Sequence, residues 1–122
     1  MVTGVEAEMK RISTHVLDLV RGRPAADVAV RLENQDSTGD WRLLTSAHTD
    51  HEGRCAQLLP EGADLSGGVY RLIFDTGSYF APQQVIVLYP VVEITFQVRE
   101  GESHFHIPLL LSPNGYTTYR GS

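Results

Sequence analysis

Apolar side chains recur at every second position through much of this chain, and that period leaves little room for anything but β-structure. Val28, Val30 and Leu32 alternate with Ala29, Arg31 and Glu33. Tyr70, Leu72 and Phe74 repeat the pattern. So do Val92, Ile94, Phe96 and Val98, with Glu93, Thr95 and Gln97 between them. A strand sends successive side chains to opposite faces, so each run predicts a strand with one buried face and one wet face. Residues 12–20, 41–47 and 104–111 are further strand candidates.

Turn-forming clusters separate these runs: Arg21-Gly22-Arg23-Pro24, Ser37-Thr38-Gly39-Asp40, His51-Glu52-Gly53, Ser66-Gly67-Gly68 and Ser112-Pro113-Asn114-Gly115. Many short strands with regular turns predict an all-β antiparallel sandwich or barrel. One short helix fits residues 78–84, limited by Pro82. With 122 residues, no internal repeat and no linker, the chain reads as one domain over 11–122, after a short N-terminal extension over 1–10. The apolar run Val85-Ile86-Val87-Leu88 is expected in the core, with an exposed patch that seals a subunit interface as the alternative.

Charge and cysteine content narrow the functional classes. The formal net charge is −5 and the ten basic residues are scattered, which argues against a nucleic-acid partner. No segment approaches the roughly 20 apolar residues of a membrane helix. Residues 1–12 contain no apolar run of signal-peptide length, so a cytoplasmic location is expected. The single cysteine, Cys55, excludes an intramolecular disulfide and lacks the partner pattern of a catalytic thiol, so it is expected to be structural.

Three features carry chemistry. In His104-Phe105-His106 the two imidazoles share one face of a strand, an arrangement suited to metal binding or acid–base work. His15 lies on the first strand candidate, and Arg54 follows a turn; ordinary surface roles would account for either alone. His48 and His51 read as solvated loop histidines. Finally, the chain closes on a polar and specific Tyr119-Arg120-Gly121-Ser122 where loose composition is usual.

Taken together, Ile12-Ser13-Thr14-His15-Val16-Leu17-Asp18 with Arg21-Gly22-Arg23-Pro24-Ala25, then Gly53-Arg54-Cys55, then His104-Phe105-His106-Ile107-Pro108 through Tyr119-Arg120-Gly121-Ser122 resemble the signatures of the 5-hydroxyisourate hydrolases, the transthyretin-like proteins. The segment from Tyr70 to Phe80 is similar too. The likeness spans about residues 11–122 and departs at Phe105, Ile107 and 83–88. It implies a transthyretin-like antiparallel β-sandwich of two four-stranded sheets with one short helix. It implies hydrolysis of 5-hydroxyisourate in purine breakdown, with no cofactor and no metal. His15, Arg54 and His106 are the implied catalytic groups, and Tyr119, Arg120, Gly121, Ser122 and His104 the implied substrate-binding groups. The implied assembly is a homotetramer, a dimer of dimers, with sites between subunits.

The chemistry is reasonable for these residue types. Imidazole titrates near neutrality, at about 6.5, and can relay a proton from water. Guanidinium is permanently charged and bidentate toward planar acceptors. Two rivals stand beside this reading: a zinc site built from His15, His104 and His106, and a transthyretin-like binding protein without catalysis.

Overall fold

The alternating runs become strands of two facing sheets in a computed structural model, which describes residues 10–122. All but the last residue of the expected N-terminal extension lies outside the described residues. In chain order the elements are β1 (Arg11–Asp18), β2 (Arg23–Pro24), β3 (Ala29–Gln35), β4 (Trp41–His48), β5 (Arg54–Cys55), β6 (Gly68–Phe74), α1 (Thr76–Phe80), a 3₁₀ turn (Ala81–Gln83), β7 (Val92–Val98), β8 (His104–Ser112) and β9 (Gly115–Thr118).

One sheet runs β4-β3-β6-β7, antiparallel throughout. The other runs β2-β1-β8-β9, with β5 also paired to β1. Two details differ from the expected antiparallel pair of four-stranded sheets. First, β1 and β8 pair in parallel, from Arg11 opposite His104 to Asp18 opposite Leu111. Second, this sheet has five strands, because two-residue strands divide one edge of β1. There β5 covers Thr14 and His15, while β2 covers Leu17 and Asp18.

Inward positions of both sheets fill the space between them, as in other face-to-face sandwiches. Ile12, Val16, Leu109 and Leu111 meet Val30, Leu32, Leu72 and Phe74, all buried. Each such side chain contributes roughly 1.5–3 kcal/mol by leaving water. Asp18 is also buried at the end of β1, where its carboxylate accepts from the amides of Val20 and Arg21 and from the Tyr79 hydroxyl. Those bonds turn the chain, so β1 stops at Asp18 rather than reaching residue 20.

The helix starts two residues before its expected position. Asp75 caps it, accepting from the Ser78 amide at 3.1 Å. Pro82 then sits in the 3₁₀ turn that ends it. The run 85–88 is not core. Ile86 is 92% exposed and Leu88 63%, and only Val87 packs partly against the interior. Cys55 is buried, as a structural residue should be.

Candidate active site

The parallel register of β1 and β8 decides which side chains meet. It sets Arg11 beside His104, Ser13 beside His106 and His15 beside Pro108. On the other edge of β1, β5 sets Arg54 beside His15. Paired strand residues project to the same face, so one sheet face gathers two guanidiniums and three imidazoles. A cavity of about 290 Å³ opens there, near the low end of the range for small-ligand pockets. Its wall includes Ser13, Arg54, His104, His106, Gly121 and Ser122.

A tight turn delivers Arg54. The Asp50 carboxylate accepts from the amides of Glu52 and Arg54, both at 2.9 Å. Gly53 takes a positive φ of 79°, a conformation that favours glycine. A Cβ at this position would also run into the Val16 carbonyl. Glycine therefore lets the turn close against β1, and the next residue enters the site. The Arg54 guanidinium has the Glu52 carboxylate 4.0 Å away.

His106 is the most constrained group. Its Nδ1 lies 2.8 Å from the Ser13 hydroxyl. Burial pushes its pKa below the ordinary histidine value, and the positive charges of His15 and Arg54 push the same way. It therefore favours the neutral form. His15 has its Nε2 2.9 Å from the Glu52 carbonyl oxygen. A carbonyl only accepts, so that nitrogen carries the proton. His15 is next to Arg54 in register but lies outside the wall of the cavity.

The terminal tetrapeptide divides between two places. Thr118 anchors its start by donating to the Pro108 carbonyl at 2.8 Å. The Gly121 amide donates to the His106 carbonyl at 2.7 Å, and Gly121 and Ser122 line the cavity. Tyr119 and Arg120 turn instead toward a neighbouring 190 Å³ depression beside Ile94 and Phe96. The Arg120 guanidinium lies 4.4 Å over the Phe105 ring. It also donates to the His104 carbonyl at 3.0 Å and pairs with Glu102 at 3.5 Å. In this chain Arg120 thus ties the tail down rather than facing the cavity. His104 is exposed at the cavity wall.

The wall also includes Thr14, Ala56 and Phe105, and two outward-facing side chains of β1 that were not among the expected site residues, Ser13 and Arg11. Their signal was present: both share the outward face of β1 with His15, at steps of two. His48 and His51 are not among the lining residues. Nor do the three imidazoles of the zinc alternative converge: among the described residues no three His, Cys, Asp or Glu side chains are grouped to hold a metal ion.

Known proteins resemble this chain along nearly its whole length. Residues 12–121 match the HIUase/Transthyretin family. The chain is 43% identical over 111 residues to a 5-hydroxyisourate hydrolase from Salmonella dublin, covering 91% of this chain and 80% of that one. It is 40% identical over 116 residues to the mouse 5-hydroxyisourate hydrolase, covering 94% and 98%. Among solved structures, the Klebsiella pneumoniae 5-hydroxyisourate hydrolase superposes with a TM-score of 0.80 at 37% identity, over 93% of this chain and 100% of that chain. Transthyretin from Sparus aurata superposes with a TM-score of 0.84 at 34% identity, over 91% and 96%. The shared sandwich and the match along nearly its whole length mean that this chain belongs to the HIUase/Transthyretin family.

Proposed function

We propose that this chain is an enzyme that hydrolyses 5-hydroxyisourate to 2-oxo-4-hydroxy-4-carboxy-5-ureidoimidazoline. The observation that carries the reading is His106, held at Nδ1 and with its pKa lowered by burial, in one small cavity with Arg54. Relatives named 5-hydroxyisourate hydrolase support it.

The reaction asks for three things. Water must lose a proton as its oxygen attacks a ring carbonyl. The oxyanion that forms needs a donor. The proton must then reach the ring nitrogen as the C–N bond opens. Two imidazoles, His106 and His15, are available for the proton traffic, a task typically worth about 10² to 10⁴-fold. Arg54 offers fixed positive charge to the oxyanion, and one such donor contributes about 3 to 4 kcal/mol. Gly121, Ser122 and His104 hold the edges of the flat ring. Tyr119 and Arg120 support the tail that carries Gly121 and Ser122. The chemistry as drawn uses no cofactor and no metal.

The working assembly in this reading is a homotetramer, a dimer of dimers. Exposed Leu19, Leu88, Tyr89 and Tyr116 favour it, because they cluster at one end of the β8–β9 hairpin. No helix among the described residues is long and apolar enough to cross a membrane. A cytoplasmic location and the absence of a nucleic-acid partner belong to the same proposal.

A second reading is ligand binding without catalysis, favoured by the likeness to sea bream transthyretin in complex with thyroxine, on which this chain superposes with a TM-score of 0.84. The polar, cation-rich wall suits a small heterocycle better than an apolar hormone. Freshly generated 5-hydroxyisourate decides between them. Its absorbance should decay faster with the protein than without, and exhaustive chelation should leave that rate unchanged. His106→Asn and His15→Asn should each cut kcat by about 10² or more. Near-normal turnover in both variants would sink the assignment.

A further inference from the structure

Two adjacent hydroxyls on β1 point opposite ways. Thr14 donates to the Ile107 carbonyl at 2.6 Å and is structural. Ser13 faces outward, with its Oγ 2.8 Å from His106 Nδ1. Among the described residues the Ser13 hydroxyl has no other hydrogen-bond partner. On the same imidazole, Gly121 packs so closely that a Cβ there would stand 2.5 Å from Cδ2. With Nδ1 engaged, Nε2 is the nitrogen left to work.

A hydroxyl can accept from Nδ1–H or donate to a bare Nδ1, and the surroundings discriminate between these. Among the described residues the charged and titratable groups facing His106 are Arg11 and His15 from β1, Arg54 from β5 and His104 from β8. Among the described residues no Asp or Glu side chain lines this cavity. Glu52 is drawn to Arg54, and Arg120 on the tail is turned away onto Phe105. The fixed positive charges of Arg11 and Arg54 on this wall favour an unshared electron pair turned toward them and an N–H turned away.

We propose that Ser13 is a positioning residue for His106: its oxygen accepts the Nδ1 proton and so presents the Nε2 lone pair to the cavity. The proposal rests on the hydrolytic reading of this cavity, and within that reading it assigns the base. Water gives a proton to Nε2 while its oxygen bonds to the carbonyl carbon. That proton then passes to the ring nitrogen as the C–N bond breaks. His15, whose Nε2–H is committed to the Glu52 carbonyl, does not compete for this role.

The first test needs no substrate. Nitrogen-15 spectra of the wild-type protein should report neutral His106 protonated at Nδ1, and Ser13→Ala should lose that preference. A wild-type His106 protonated at Nε2 would overturn the proposal. The second test is kinetic. Ser13→Ala should lower kcat about tenfold or more with little change in KM, less than the about 10² to 10⁴-fold cost of losing the base itself. Its acid limb should move to lower pH, because an accepting oxygen favours the charged imidazole. Ser13→Thr should restore both. An upward shift of the limb would mean that Ser13 donates, and an unchanged kcat that it positions nothing; either result overturns the assignment. If the wild type does not hydrolyse 5-hydroxyisourate, the functional reading fails, while the tautomer measurement still decides the role of Ser13.

Discussion

Gly121 donates its amide to the His106 carbonyl at 2.7 Å and lies flush against the same residue's ring. Backbone and side chain of one histidine are thus held by one glycine. No positive φ is involved at Gly121, so its requirement is for space rather than conformation.

Gly121→Ala tests that requirement. The new methyl should push the imidazole away, and a misplacement of about 1 Å in an active site costs on the order of 10²-fold in rate. Because the tail is at the surface, thermal unfolding should barely move. Steady-state kinetics beside a melting curve checks both. Full activity in the alanine variant would show that the ring has room to yield.

The pH response of His106 has a definite sign. Its pKa is lowered by burial first, then by His15 and Arg54. The unfolded chain therefore takes up this proton first as pH falls, at about 6.5. The contribution to stability is full above that pH. It is lost as pH drops from there through the lower folded value. An NMR titration should find the His106 midpoint below that of free histidine. Arg54→Gln removes one positive neighbour and should raise the midpoint, while burial still keeps it low.

Cys55 should be inert while the chain is folded. Burial, with help from Asp50, pushes its thiol up to about 11, so little thiolate exists at pH 8. A disulfide reagent should react slowly with native protein and quickly after urea is added. Rapid labelling of the folded protein would contradict the buried placement.

Association should depend on the apolar end of the β8–β9 hairpin. Leu88 joins this region through its amide bond to the Pro113 carbonyl at 2.9 Å, and Leu19 through the Leu111 carbonyl at 2.9 Å. Leu19→Asp or Leu88→Asp should reduce the mass measured by light scattering. An unchanged mass in both variants would place the contact elsewhere.

The strands were legible because burial on one face leaves a period of two, visible at Val28-Val30-Leu32 and at Val92-Ile94-Phe96-Val98. What periodicity lacks is neighbourhood. Nothing in the alternation of β1 or of β8 says that they lie side by side in parallel. Two residues carry no period either, so β2 and β5 were invisible. The run 85–88 reads as core by hydropathy, yet position in a loop, not apolarity, decides its exposure. At the site, Arg54, His104, His106, Gly121 and Ser122 were legible through family motifs. The cavity-facing role of Ser13 was not, since a serine on a strand is ordinary until its opposite number is known. Tyr119 and Arg120 were read together with their neighbours because sequence adjacency hides which side of the sheet edge a side chain takes.

The parallel union of β1 with β8 also has a consequence in time. Ser13 and His106 are 93 positions apart, and contacts of such long range form slowly. During synthesis β1 waits with an unmatched edge until β8 has emerged from the ribosome. Catalytic competence should therefore arrive late and all at once, with no partly active nascent form. The exposed edge in that interval is where a chaperone would find its grip.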